Sequence, residues 1–375
     1  LVAPSGGEAF ELACFEPGLP VVAGTVRVTA VGPARSAVAP EGWAPSDIAY
    51  DAVVSAVPLP GAFVRFDPSA DAATNDVYAR VVASVGVAGP AGTPSPYLTV
   101  GGDASPGALV LRVAAHPDGY DVQSVAGGVV ARVAGRCLRV LRADGTPVTS
   151  DIPGLDDGAV SAVVARLEHV ARWEQLKALG DHPSRLRDAV RLEVLRAEPG
   201  EKAAPADRLP LDAGAGYELT YRRSGSELLA PAMFLRLVNV SEQDVYVAVL
   251  DLTDRYRCHA ALYPTARIAA GHTVAVWEGE PIEASLPVGR PVASGAIARD
   301  WLKVFVSETN FDAAAFEMTA LDEPLVVRRS VDRSESTLER LAAKVLTRDV
   351  GAHPPTSQES PEWCAQTFSV TTRVP

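Results

Sequence analysis

Three apolar, β-branched runs follow one another between residues 232 and 264, in the stretch AMFLRLVNVSEQDVYVAVLDLTDRYRCHAALYP. They occupy 233–240, 245–252 and 256–263, parted by polar breaks at 241–244 and 253–255 that are short enough for hairpin loops. The middle run has almost no polar interruption, which predicts a strand buried on both faces. The stretch therefore reads as a β-meander at the centre of a sandwich. It builds a core and announces no chemistry by itself.

The rest of the chain is read around it. Residues 1–57 predict a small β module, with strand-like alternation at 10–15, 24–31 and 51–57 and turns at Pro17-Gly18 and Gly32-Pro33. Residues 58–155 predict an α/β unit. Thr74 or Asn75 would cap a helix with Val77, Val81, Val82 and Val85 on its apolar face, and strands are expected at 97–100, 108–114, 120–125 and 137–141, the last leading into a turn at Asp144-Gly145. Residues 156–184 hold the clearest helix, over 158–179. Its apolar face is Val160, Val163, Val164, Leu167, Val170, Ala171 and Leu176, with Asp156 and Asp157 at the start and Gly180 at the exit. It is expected to be a connecting helix packed between two β units.

Residues 185–375 predict an Ig-like antiparallel β-sandwich. A polar, Pro-rich loop spans 197–215, further strands fall at 273–277, 282–286 and 302–307, and Ser336-x-x-Glu339 reads as a capping box for a helix over 338–346. A polar linker over 351–362 then delivers a last alternating strand over 366–374. The fold class is mixed and mainly β: a barrel-like module, an α/β unit with its long helix, then the sandwich.

Charge limits the partners. A net charge of -12 argues against sequence-independent nucleic-acid binding, which needs a basic footprint, and against an anionic membrane surface; Arg328-Arg329 reads as a solvated strand end. Four scattered cysteines (Cys14, Cys137, Cys258, Cys364) form no CxxC and no disulfide framework, a pattern that fits a reducing cytosol. No apolar run approaches the ~18 residues of a membrane span, and no signal sequence is evident. Because the chain opens on Leu1, a piece of a longer protein is expected.

The order "LRLVNVSEQDVYVAVLDLTDRYRCHAALYP", "IAAGHTV", "ARDWLKVFVSE" resembles the β-sandwich domain attached to actinobacterial caspase-like peptidases of the metacaspase type. In that family a strand ending "LD" turns into one ending in Pro, an "aG" turn follows, and a "D.lKvivS" strand closes the sheet. The agreement covers roughly residues 185–330. "FELACFEPG…GTVRVTAVGPARSAV" resembles the small module that follows the peptidase domain, and "RLEHVARWEQLKALGDHPSRL" the helix before the sandwich. The resemblance implies a partner, a caspase-like protease domain in the same polypeptide or a processed fragment. Other proteins of a bacterial defence or cell-death pathway are further expected partners.

A caspase-like active site needs a cysteine activated by a histidine. The family's cues are His-Gly and Asp-x-Cys-x-Gly or Ser, yet no His here precedes Gly and no Cys follows an Asp by two. Neighbouring side chains on a strand point to opposite faces, so Cys258-His259 is not a dyad, and Cys258 is expected in the core with Tyr256, Ala260 and Leu262. His169 is expected to be a satisfied surface or interface histidine. His116, His182, His272 and His353 lack metal-spaced partners, and Asp251 and Asp254 read as turn formers. Trp173, Trp277, Trp301 and Trp363 could form a sugar platform only if stacked in the open; core packing is the expectation. No catalytic, cofactor-binding or metal-ligating residue is assigned and no cofactor is expected. The functional expectation is a cytoplasmic, non-catalytic region that holds or restrains a caspase-like cysteine peptidase domain or binds its partner or target. The rival is a secreted β-sandwich protein that binds a ligand or carbohydrate.

Overall fold

The structure, a computed structural model, describes residues 61–321 and 362–375 apart from breaks at 90–91, 103, 105–106, 118, 124–128, 181–183 and 288–289; of the remainder it describes 11–15, 22–31, 36–41, 44–46, 51–56, Leu338 and Ala342. Over these residues the fold is mixed and mainly β. Strands β1 (Glu11–Phe15), β2 (Val22–Val31), β3 (Ser36–Glu41) and β4 (Asp51–Ala56) make one antiparallel sheet in the order β3-β2-β1-β4. Among the described residues β3 and β4 do not pair, so this is an open sheet and not a closed barrel. The third strand, SAVAPE, escaped the sequence reading because Ala and Pro carry little strand signal.

The α/β unit contains β5 (Ala62–Phe66), α1 (Ala72–Val85), β6 (Leu98–Val100), β7 (Val110–His116), β8 (Tyr120–Gln123), β9 (Val129–Val133), β10 (Cys137–Arg142) and β11 (Ile152–Pro153). Its sheet runs β11-β10-β7-β5-β6, with β5 parallel to both neighbours, while β8 and β9 form a hairpin. The expected cap of α1 is corrected. Asp71 caps it, accepting the Thr74 N–H at 2.9 Å, so Thr74 and Asn75 lie inside the helix. The buried face is Thr74, Val77, Tyr78, Val81 and Val85; Val82, one step around the helix, is exposed.

Helix α2 (Asp157–Ala178) forms where its apolar stripe predicts, and every residue named on that stripe is buried. Asp156 accepts the Ala159 N–H at 2.9 Å and Gly180 leaves the helix at φ 112, where a side chain would meet the Ala365 backbone.

Beyond it come β12 (Val190–Ala197), β13 (Tyr217–Thr220), β14 (Arg222–Ser224), β15 (Glu227–Leu229), β16 (Ala232–Asn239), β17 (Val245–Leu252), β18 (Cys258–Ile268), β19 (Thr273–Ala275), β20 (Ile282–Glu283), β21 (Ile297–Ser307) and β22 (Trp363–Arg373). One sheet is β12-β16-β19 with β20 also on β16; the facing sheet is β13-β22-β21-β17-β18. The pairing is antiparallel except for β13 with β22. The expected meander is corrected, since β16 lies in the first sheet and only β17 and β18 are hairpin partners in the second. Asn239 makes the crossing possible. Fully buried, it donates Nδ2 to the Gln243 and Ile268 carbonyls, 2.8 and 3.0 Å away, and so holds the connection between the sheets. The third run is also displaced: its strand begins at Cys258, extends to Ile268, and leaves Tyr256 in the turn.

The second sheet is buried on both faces. Val245, Val247, Val249, Leu302, Val304 and Val306 meet Leu192, Val194, Leu235 and Leu237 of the first sheet. On its other face Ala248, Leu250, Leu252 and Phe305 join Val163, Leu167, Val170, Trp173 and Leu176 of α2, in a core continuous with that of the α/β unit. Leu338 and Ala342 are helical and belong to that same core. The capping-box residues Ser336 and Glu339, the linker over 351–361, Arg328-Arg329, His182 and His353 lie outside the described residues.

Candidate functional site

A polar assembly lies where α2 crosses the β17–β18 turn. One helical turn separates His169 from Trp173, so both face the sheet, and they bind consecutive turn carbonyls. His169 Nε2 is 2.9 Å from Tyr256 O, and Trp173 Nε1 donates to Arg257 O at 3.1 Å. Tyr256 is held at φ 60, an outlying conformation for a bulky residue. Its ring meets Trp173 edge-on at 5.2 Å and its hydroxyl accepts from Arg142 Nη2 at 2.6 Å. Burial pushes the Tyr256 phenol up to about 12. Lys177 Nζ lies 4.8 Å from the Trp173 ring and 4.7 Å from the Trp301 ring. Lys303, fully buried on β21, donates to Lys177 O (2.9 Å), Leu179 O (2.5 Å) and Thr367 Oγ1 (2.9 Å), and so supplies the end of α2 with hydrogen-bond donors.

Cys258 and His259 do point to opposite faces. Cys258 is in the core shared with α2, and burial raises its thiol pKa well above the ordinary value. Leu262 is corrected: the β17–β18 register shifts on either side of Val249, and Leu262 joins the inter-sheet core instead of the one holding Cys258, Ala260 and Tyr256. His259 Nε2 is 3.0 Å from Asp251 Oδ2, while its Nδ1 is buried without a hydrogen-bond partner. Among the described residues no hydroxyl or thiol hydrogen-bonds to this ring.

Asp251 and Asp254 are more than turn residues, because the structure brings Asp300 of β21 beside them. The Asp254 N–H donates to Asp300 Oδ1 at 3.2 Å, and Arg290 Nη1 is 2.7 Å from Asp254 Oδ2. Burial first, then the charges of Asp251 and Asp254, push the Asp300 carboxyl up to about 7. Sequence reasoning missed Asp300; its place in "ARDWLKVFVSE", beside Lys303, was the available signal. The remaining histidines do not gather here: His116 Nδ1 is buried without a partner, and His272 Nδ1 sits 2.9 Å from Ala270 O.

The tryptophans form no platform. Trp173 and Trp301 meet edge-on at 5.2 Å within the core contact, Trp363 lies 6.2 Å from Phe305, and Trp277 alone of these four is exposed, at 43%. Trp277, Glu278 and Gly279 follow one another at φ 54, 53 and 81, a left-handed turn closed by Gly279 N–H to Val276 O (3.0 Å) and Glu280 N–H to Trp277 O (2.9 Å).

Among the described residues no group of three or more His, Cys, Asp or Glu could hold a metal ion, and no helix is long and apolar enough to cross a membrane. Fold and site together define a mainly β protein containing a β-sandwich whose second sheet is braced by the helix of an α/β unit. No protein-family model and no curated protein matches the chain.

Proposed function

We propose that this chain is the non-catalytic regulatory and scaffolding region of a bacterial caspase-like cysteine peptidase, working in the cytoplasm to hold or restrain the protease domain or to bind its partner or target. The observation that carries this reading is the single core that α2 makes with the second sandwich sheet, because it turns two units into one rigid platform. The motif residues that carry the resemblance also have architectural roles. Lys303 of "D.lKvivS" supplies donors to α2, and Asp300 holds the β17–β18 turn through the Asp254 N–H. Expression of the complete reading frame, followed by intact-mass analysis of what co-purifies, tests it. A chain that elutes with an N-terminal piece carrying the missing Cys and His supports the proposal. A chain that travels alone removes the peptidase connection.

One observation favours a second reading, a ligand- or carbohydrate-binding β-sandwich: the exposed ring of Trp277. It would be recognised by oligosaccharide binding that Trp277→Ala abolishes.

A further inference from the structure

The left-handed turn at Trp277–Gly279 sets two non-glycine residues in a conformation that L side chains avoid, and the product is an exposed indole. The turn is rigidly mounted. Val276, fully buried in the inter-sheet core, donates its N–H to Leu235 O at 2.9 Å on one side, and β20 pairs with β16 on the other. Around the ring the local sequence is WEGEPIE, and Glu278, Glu280 and Glu283 are all exposed. Among the described residues none of these three carboxylates has an ion pair or a side-chain hydrogen bond. A cation on the neighbouring strand β16, Arg236, lies opposite Ala275 and is already held by Glu193 at 3.0 Å. The patch thus joins an aromatic face to unneutralised negative charge, on a protein of net charge -12.

We propose that the Trp277 turn is a docking point for an extended, arginine- or lysine-bearing segment of a partner protein, with a basic side chain stacked on the indole and neutralised by Glu278 and Glu280. A cation over an indole face is attracted by the ring quadrupole, and carboxylates beside it select a cation over a neutral ring or sugar. Acidic polymers, nucleic acid among them, are disfavoured by the same charges. The proposal stands whether or not the chain serves a peptidase.

The test is calorimetric titration of the full 375-residue protein with a short arginine-containing synthetic peptide, its glutamate-substituted counterpart and a neutral oligosaccharide. Binding of the arginine peptide alone is expected, weakening in high salt. Trp277→Ala should weaken it about tenfold, with Trp277→Phe retaining part of the affinity. The Glu278→Gln, Glu280→Gln double variant should weaken it severalfold, while Glu227→Gln, an exposed acid on β15, should leave it unchanged. Thermal unfolding of each variant verifies the fold. Equal affinity for wild type and Trp277→Ala overturns the proposal, as does an equal loss with Glu227→Gln, which would mark a diffuse acidic surface. Binding of the oligosaccharide in place of the peptide overturns it in favour of the carbohydrate reading.

Discussion

The ammonium of Lys303 lies 2.5 Å from the carbonyl of Leu179, so a side chain from the middle of the sandwich holds the last turn of a helix that belongs to the preceding unit. The same ammonium reaches Lys177 O and Thr367 Oγ1, which places three partners around a fully buried charge. A cation is suited to this position because the end of a helix presents unpaired carbonyls and partial negative charge.

Lys303→Met should therefore destabilise the protein although it fills a buried site with an apolar side chain of similar length. The substitution removes the ammonium donor from the Leu179 carbonyl and leaves Lys177 O to the Thr367 hydroxyl, a loss of about 2–4 kcal/mol. Thr367→Val removes a hydroxyl that accepts from Lys303 Nζ and donates to Lys177 O at 3.2 Å, and should cost about 1–2 kcal/mol. Urea unfolding measures both, and amide exchange in the last turn of α2 should accelerate in the methionine variant. Unchanged stability in Lys303→Met would show that the ammonium does not brace the helix.

How much of this could be read from the sequence depends on the range of the interaction. Val245–Leu252 was legible as a strand buried on both faces because an unbroken β-branched run requires it, and the face of α2 because its helical period is strong. The opposite orientations of Cys258 and His259 follow from strand alternation alone. The sheet assignment of β16 was not legible. A polar break of a few residues suits a hairpin and a crossing equally, and the buried side chain of Asn239 decides between them. Asp300 and Lys303 read as ordinary strand residues until the fold sets one beside Asp254 and the other under α2. The parallel placement of β5 rests on pairing with strands far along the chain, which no local pattern encodes.

The carboxylate cluster predicts an unusual pH dependence. Burial holds the Asp300 carboxyl up at about 7 in the folded protein, against an ordinary 3.8. Below the lower value it is protonated in both states and has no effect. Between the two values the unfolded chain releases a proton that the folded protein retains, so the contribution of this group to stability falls as pH rises, and the full penalty is present above about 7. Asp300→Asn keeps an oxygen to accept the Asp254 N–H and removes the charge. It should be near neutral at pH ~4 and stabilising by on the order of 1–3 kcal/mol at pH ~8, partial exposure reducing the effect. Denaturant midpoints across that range measure it. An equal effect at both ends would place the titration elsewhere.

The thiols predict chemical silence. Cys137, Cys258 and Cys364 are free and buried, and burial holds the thiols of Cys137 and Cys364 up at about 11 and that of Cys258 well above its ordinary value. Thiolate is the reactive form, so none of the three should react with a disulfide reagent in the native protein, and all three should react once it is unfolded in denaturant. Peptide mapping of the labelled protein assigns each site. Labelling of Cys258 under native conditions would reopen its reading as a nucleophile. Cys258→Ser should cost about 1–3 kcal/mol, because a hydroxyl replaces a thiol in an apolar core.

The Trp277 turn predicts a conflict between stability and binding. Glu278 is exposed, has no ion pair among the described residues, and sits at φ 53, so its native conformation gains little from contacts. A left-handed non-glycine residue costs about 1–2 kcal/mol, whereas glycine adopts that region freely and loses about 0.5–1 kcal/mol through the greater freedom of the unfolded chain. Glu278→Gly should therefore stabilise the protein by about 0.5–1 kcal/mol while weakening the arginine peptide, in the same direction as the Glu278→Gln, Glu280→Gln double variant. Gly279→Ala should act in the opposite direction. Its φ of 81 disfavours a side chain, although the added methyl would meet only the Ala275 Cβ at an ordinary 3.5 Å, so the loss is conformational and not steric. Chemical denaturation of the two variants side by side measures both signs. A loss of stability in Glu278→Gly would mean that the turn is not strained, and that the exposure of Trp277 is maintained without opposing the fold.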